Sequence, residues 1–328
     1  MKLVFAMPHL LELPALNQPW ELTVTGAEQT RLAQLADRLG YDMLATPEHF
    51  AIPNSHVELS GAHYFHAGAA QSYYAGATER ITVNSCIWLL PLQHPVVAAK
   101  ALSTLDWLSS GRAMVTFGVG WLAAEFDLLD VPFHERGRIA DEYLAAIIEL
   151  WTRDQPEFDG KYVSFRDIAF APKPLQQPHL PIWIGGDADA ALRRAARFAT
   201  GWWPFLTAPD QIARRVEFIL SQPEYDGRPF DVMYALGTSR VGEGHRPGDS
   251  DAPVFGSTQH AIDALNELAG MGVTYTSVPT PPLPSLAAYE EFVHWVIEEV
   301  KPHLPTNPSA TAGSVPLRPR SPEKGSNR

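Results

Sequence analysis

Apolar positions along the chain follow two periods that alternate. Short runs rich in β-branched and aromatic residues stand at Leu3–Met7, Asp42–Thr46, Ile81–Trp88, Ala113–Val119, Pro181–Gly185, Gly201–Phe205, Val232–Thr238 and Val273–Val278. Between most of them the spacing changes to that of amphipathic helices, so each predicted strand feeds a helix able to fold back on a parallel sheet. Thr25–Gly26–Ala27–Glu28 is a capping box, followed by Leu32, Leu35, Ala36 and Leu39 on one face and a stop at Gly40. Val97, Ala101, Leu105 and Leu108 form a second stripe, and Ile139, Tyr143, Ile147 and Leu150 a third. Asp187 is placed to cap a helix carrying Leu192, Ala195, Ala196 and Ala199.

Eight such units within residues 1–304 predict a single α/β domain, a (β/α)8 TIM barrel, in preference to a doubly wound sheet, which uses fewer strands. Two connections exceed ordinary loops: Phe50–His66, and Gly120–Leu180 with its strand-like Lys161–Phe165. Both follow strand C-terminal ends, so both are expected as insertion segments on the C-terminal face, where barrel enzymes build their sites. From Pro305 to Arg328 the pattern dissolves into Pro, Ser, Thr and Gly, the composition of a disordered tail.

Composition narrows the function. Among 328 residues, Asp and Glu number 37 against 25 Lys and Arg, a net charge of −12. Such a surface repels phosphate backbones and anionic lipid, which argues against nucleic-acid and membrane partners. No run approaches the ~20 apolar residues of a membrane span, and the apolar start is too short for a signal peptide. Cys86 is the lone cysteine, which excludes an internal disulfide and Cys-based zinc sites and fits a reducing cytoplasmic setting.

The chemistry-bearing residues cluster at predicted strand ends. After the second strand, Glu48 and His49 form an adjacent carboxylate and imidazole, able to handle protons near neutral pH. Asn84, Ser85 and Cys86 interrupt the third strand with small polar groups, the mark of a bulge or a ligand approach. Gly118–Val119–Gly120–Trp121 and Gly185–Gly186–Asp187 close the fourth and fifth strands, where backbone N–H groups at a helix start could hold phosphate. Trp203 lies near the sixth strand's end. Arg136 reads as a helix-start ion pair rather than an anion contact. His56, His63 and His66 with Glu58 lack the spacing of a metal site, and none is expected there.

The combination of LGYDMLATPEHF, LPLQHPVVAAKALSTLDWLSSGR, TFGVGWLAAEF and PIWIGG, spread over most of residues 1–300, resembles the bacterial-luciferase-like oxidoreductases and in particular their coenzyme F420-dependent subgroup. The resemblance implies a barrel that holds a flavin-like cofactor at its C-terminal mouth. Ser85–Cys86 would back the tricyclic ring, often through a non-prolyl cis peptide. Gly118, Val119, Gly120, Gly185 and Gly186 would hold the phosphate-bearing tail, and His49, with Glu48, would transfer a proton beside the ring. Trp121 stands where sugar-phosphate-oxidising members carry Glu, which argues against that substrate. Three functions remain: hydride transfer with F420, reduced-FMN-dependent oxygenation, and flavin binding without turnover. Family analogy also implies a homodimer.

Overall fold

A computed structural model describes residues 1–13, 17–236 and 255–306. In chain order its strands are β1 (Lys2–Phe5), β2 (Met43–Thr46), β3 (Thr82–Leu89), β4 (Ala113–Gly118), β5 (Phe158–Asp159), β6 (Ser164–Phe165), β7 (Ile182–Gly185), β8 (Gly201–Trp203), β9 (Asp231–Ala235) and β10 (Tyr275–Ser277). Eight of them close a parallel barrel in the order β1-β2-β3-β4-β7-β8-β9-β10, and β10 pairs back to β1. Each corresponds to one predicted run, so the (β/α)8 architecture is the observed one. The remaining pair, β5 and β6, is an antiparallel hairpin in the long insertion, and only Ser164–Phe165 of the strand-like Lys161–Phe165 is strand. Gly237 and Thr238 of the seventh predicted run, and the tail from residue 307 onward, lie outside the described residues.

The helices are α1 (Gly26–Leu39), α2 (Val57–Ser60), α3 (Ala67–Ala77), α4 (Pro95–Leu108), α5 (Ala123–Leu128), α6 (Arg136–Thr152), α7 (Asp189–Phe198), α8 (Ile212–Leu220), α9 (Thr258–Gly270) and α10 (Leu286–Trp295). The Thr25 capping box forms as predicted, with both reciprocal hydrogen bonds present. Two expectations are corrected. In α4 the buried face is Ala98, Ala99, Leu102 and Leu105, whereas Val97 and Leu108 are 64% and 80% exposed. Small Ala side chains allow α4 to sit close to the barrel, which turns the bulkier stripe outward. Asp187 does not cap α7: the cap position is Ala188, without a side-chain bond, and the Asp187 carboxylate instead accepts from the backbone N–H groups of Phe205, Leu206 and Thr207.

Alternation along the strands assigns the interior. The lower barrel is filled by Val4, Met43, Met114, Trp183, Met233 and Tyr275, all buried. Above them Asn84 donates to Thr116 Oγ1 at 3.0 Å, and the Thr116 hydroxyl contacts Asn84 Oδ1 at 3.2 Å. The next inward positions toward the strand C-termini are small: Ala45, Cys86, Gly118, Gly185, Ala235 and Ser277, with Trp203 the exception. The barrel is therefore solid below and shallowly open above. Among the described residues no helix is long and apolar enough to cross a membrane.

Candidate functional site

The two acidic–imidazole neighbours at the end of β2 separate. Glu48 is 4% exposed and turns toward α3 and the end of β3, accepting from Ala67 N at 3.1 Å, Leu89 N at 3.3 Å and Gln93 Nε2 at 2.9 Å. It thus ties the end of β2 to the first turn of α3 and the end of β3. Burial pushes its carboxyl up to about 7; the nearby Glu125 charge acts in the same direction, while the Leu89, Ala67 and Gln93 donors oppose it.

His49 turns the other way. Its Nδ1 lies 2.7 Å from Glu125 Oε2, and Glu125 is almost wholly enclosed. The other carboxylate oxygen accepts from Phe50 N at 2.7 Å and Ala51 N at 3.2 Å. One acid from α5 therefore fixes both the imidazole and the backbone beside it. The expected pairing of His49 with Glu48 is replaced by this one, because the Glu48 carboxylate is already committed to Ala67, Leu89 and Gln93. With Nδ1–H donated to the carboxylate, Nε2 is the nitrogen left for proton transfer. The ring is held edge-on by Tyr64, at 4.8 Å between centroids, and by Trp121, at 5.9 Å. Trp121 and Phe50 are each 36% exposed, which gives the rim an aromatic wall.

The interruption in β3 is a bulge, shifted by one residue from its expected place. Register slips between Cys86 and Trp88, and the cis peptide is Cys86–Ile87 rather than Ser85–Cys86. Ser85 pairs with Thr46 and Val115 on the face turned to the helices, and its buried hydroxyl has no partner among the described residues. Asn84 points inward but belongs to the mid-barrel pair with Thr116. Cys86 is half-buried in the mouth, and burial raises its thiol well above the usual range, which disfavours the nucleophilic thiolate. Trp88 is buried on the helix side against His66.

The residue that the bulge delivers is Ile87. A Cβ on Gly118 would collide with its Cγ2, and one on Gly185 would lie 3.3 Å from its Cδ1. Both glycines are strand residues that make room for Ile87, not loose turns for an anion. The turns are formed by Gly120 and Gly186, with φ of 74° and 119°. Gly120 also lies against Phe126, where a Cβ would approach to 2.9 Å, and its carbonyl accepts from Arg136 Nε at 3.2 Å. Arg136 makes no ion pair among the described residues; it lies over the Phe133 ring at 3.9 Å and donates to the Phe133 carbonyl. Val119 is half-buried between these features. Asp187, with its carboxylate committed to the 205–207 backbone, and Asp189 in the first turn of α7 make that turn acidic rather than anion-seeking. Trp203 lies half-buried in the mouth above Trp183, at 6.4 Å between rings.

Sequence reasoning missed Glu125 and Ile87. The only signal for Glu125 was an acidic residue in the first turn of a helix following a strand end; the long-range pairing is not written in spacing. The opposite end of the barrel has a cleft of about 760 Å³, lined by Arg112, His179 and Arg228 among others. There Arg112 and Arg228 donate to main-chain carbonyls of neighbouring helices, which makes those cations part of the fold.

Comparison with known proteins agrees with this architecture. The sequence model of the family described as luciferase-like monooxygenase matches residues 7–241. An FMNH2-dependent dimethylsulfone monooxygenase of Pseudomonas putida is 30% identical over 209 residues, covering 62% of this chain and 55% of that protein. The chain thus spans about half the length of that relative. Among solved structures, monooxygenase RslO1 from Streptomyces bottropensis superposes with a TM-score of 0.75 at 20% identity, covering 92% of this chain and 99% of that one. A coenzyme F420-dependent tetrahydromethanopterin reductase from Methanopyrus kandleri gives 0.67 at 20% identity, covering 90% and 98%. At these identities the two structures show a shared fold.

Proposed function

The chain belongs to the luciferase-like monooxygenase family, a family of oxidoreductases, and from that premise we propose that it transfers a hydride between coenzyme F420 and a small organic substrate, with His49 moving the accompanying proton. The observation that carries this reading is the His49–Glu125 pair, set on the rim of a barrel mouth whose inward side chains are small. A non-catalytic binder has no use for an imidazole held in one tautomer by an enclosed carboxylate.

The mouth fits a planar ring. Ala45, Cys86, Gly185 and Ala235 leave a low floor, where larger side chains would fill the space, and Ile87 gives one side an apolar surface. These residues with Trp203 would hold the ring, and the Gly120 turn, rather than the acidic Gly186 turn, would take its anionic tail. When bound, the deazaflavin supplies or accepts the hydride. Glu125 holds Nδ1 of His49, so that Nε2 gives or takes the proton at the substrate. Tyr64, Trp121 and Phe50 exclude water from that proton and offer the substrate an aromatic surface, which supports an apolar or aromatic class.

A second reading, reduced-FMN-dependent oxygenation, is supported by the dimethylsulfone monooxygenase relative. Separate titrations of the purified protein with F420 and FMN, followed by fluorescence, distinguish them. Micromolar or tighter binding of F420 with weak FMN binding supports the first, the reverse supports the second, and binding of neither rejects both.

The homodimer forms, in this proposal, through the outer face of α3 and α4. The groove between them is lined by Gly68, Ser72, Gly76, Val97, Ala101 and Leu108, with no Asp, Glu, Lys or Arg among its lining residues. A charge-free, apolar face is the surface on which two copies of an acidic chain can meet.

A further inference from the structure

The N-terminal loop after β1 and the wall segment before α3 meet beside the mouth. Glu12 N donates to the His63 carbonyl at 3.1 Å, and Leu11 bridges Tyr64 in antiparallel fashion. At this junction three ligand-type side chains converge. His9 Nε2 lies 2.9 Å from Glu12 Oε1, His63 Nδ1 lies 3.6 Å from the same oxygen, and all three atoms lie within 4.8 Å of one another. Among the described residues this is the one group of three His, Cys, Asp or Glu so arranged. Two of its members, His9 and Glu12, stand outside the His56, His63, His66 set suggested by the sequence.

The hydrogen bonding of His9 decides what the junction can take. Its Nδ1 lies 2.8 Å from the Val24 carbonyl, an acceptor only, so that nitrogen carries a hydrogen. In the neutral imidazole Nε2 is then a bare lone pair, and it faces a carboxylate oxygen at 2.9 Å. That distance requires either a proton between the two atoms, as in an imidazolium–carboxylate pair, or a metal cation in the proton's place. A carbonyl bonded to the far nitrogen is also the usual arrangement behind a metal-bound histidine, where it fixes the tautomer and aims the lone pair. His63 contributes a further nitrogen, and its Nε2 is enclosed without a partner among the described residues. The two imidazoles lie stacked, 4.7 Å apart and 13° from parallel, so both lone pairs meet one ion only after the His63 ring turns. No hydrogen bond of its own ring opposes that turn among the described residues.

We propose that His9, Glu12 and His63 form a site for one divalent ion of the zinc class. Ligand atoms roughly 2.0–2.2 Å from a tetrahedral ion lie about 3.3–3.5 Å apart, and the observed 2.9 and 3.6 Å bracket that separation. Two imidazoles and one carboxylate suit zinc, cobalt or nickel and not calcium or magnesium, which take oxygen ligands. Three protein ligands leave a position for water. The ion would clamp the loop after β1 to the segment that carries Tyr64, the residue packed on His49. This inference is independent of the cofactor reading, since its ligands are not members of the proposed redox site.

The test uses the full chain, stripped with a chelator and titrated with Zn2+ against a chromophoric competitor, and in parallel with Co2+ read by its visible absorption. One Zn2+ per chain with micromolar or tighter affinity is expected, together with a Co2+ spectrum of four- or five-coordinate intensity. His63→Ala and Glu12→Gln should each weaken binding by about 10²-fold, while His56→Ala and His66→Ala leave it unchanged. Circular dichroism establishes that each variant is folded, and Glu12→Gln, at a half-exposed position, serves if His63→Ala is not. Absence of stoichiometric binding overturns the proposal, as does binding that survives both ligand substitutions in folded protein. A cluster occupied by a proton alone gives the first of these results.

Discussion

Nδ1 of His49 and Oε2 of Glu125 are 2.7 Å apart although 76 positions separate them in the chain. The contact joins the end of β2 to the helix that follows β4, so two separate strand-end segments define the group proposed to handle the proton. Loss of the imidazole should act on chemistry rather than binding: His49→Ala is expected to lower turnover by ~10²–10⁴-fold with cofactor affinity changed less than about threefold. Steady-state kinetics beside a fluorescence titration check this, and near-normal turnover in the variant rejects His49 as the proton carrier.

Glu125 holds the imidazole and the Phe50 and Ala51 N–H groups together. In Glu125→Gln the carboxamide can either accept from Nδ1 or donate to it, and the tautomer is no longer fixed. We expect kcat to fall by roughly 10-fold or more with KM little altered, and the fall should disappear in a His49→Ala background. Equal losses in both backgrounds mean that Glu125 acts on the loop alone.

Gly118 and Ile87 occupy one space. Gly118→Ala places a methyl group into Ile87 and should cost about 1–3 kcal/mol, the range for overpacking a filled interior. Adding Ile87→Ala should return most of that stability. Denaturant unfolding of the two single variants and the double variant reads the coupling, and additive losses deny that the glycine is there for Ile87.

The carboxyl of Glu48 titrates near 7 in the folded chain against an ordinary 4.5, chiefly because it is buried. The folded state therefore holds this proton more tightly than the unfolded state does. The associated stability is complete below pH 4.5 and is lost as pH rises through 7, on the order of 3 kcal/mol in total. Glu48→Gln cannot ionise, so its stability relative to the parent should increase across that window. Unfolding curves at several pH values measure the difference, and a pH-independent offset is the contrary result.

At the α3–α4 face, Leu108→Asp should convert the proposed dimer into monomer while leaving the melting temperature of the chain within a few degrees, since Leu108 is 80% exposed. Light scattering at several concentrations decides. An unchanged mass in a wild-type dimer moves the interface elsewhere.

The fold was legible because its signals are local: alternating periods located all eight barrel strands, and Thr25 with Glu28 announced the start of α1. The outward turn of Val97 and Leu108 was not, since which stripe of α4 is buried depends on how closely small Ala residues let it approach the sheet. Asp187 has the composition of a cap but a nearer set of backbone donors in the 205–207 loop. At the site, His49 followed from its place at a strand end, whereas its partner depended on a contact between distant segments. Ile87 escaped attention because an aliphatic residue in a strand looks like core until a bulge turns it into the mouth.

The Asn84–Thr116 pair divides the barrel interior into two storeys with different duties. Below it, Met43, Met114 and Trp183 hold the cylinder together; above it, the inward side chains are short. If the mouth is the site proposed above, changes of appetite would be confined to the upper storey, and a chain with this plan could acquire a new substrate by altering Ala45, Ala235 or Ser277 while its foundations stay as they are.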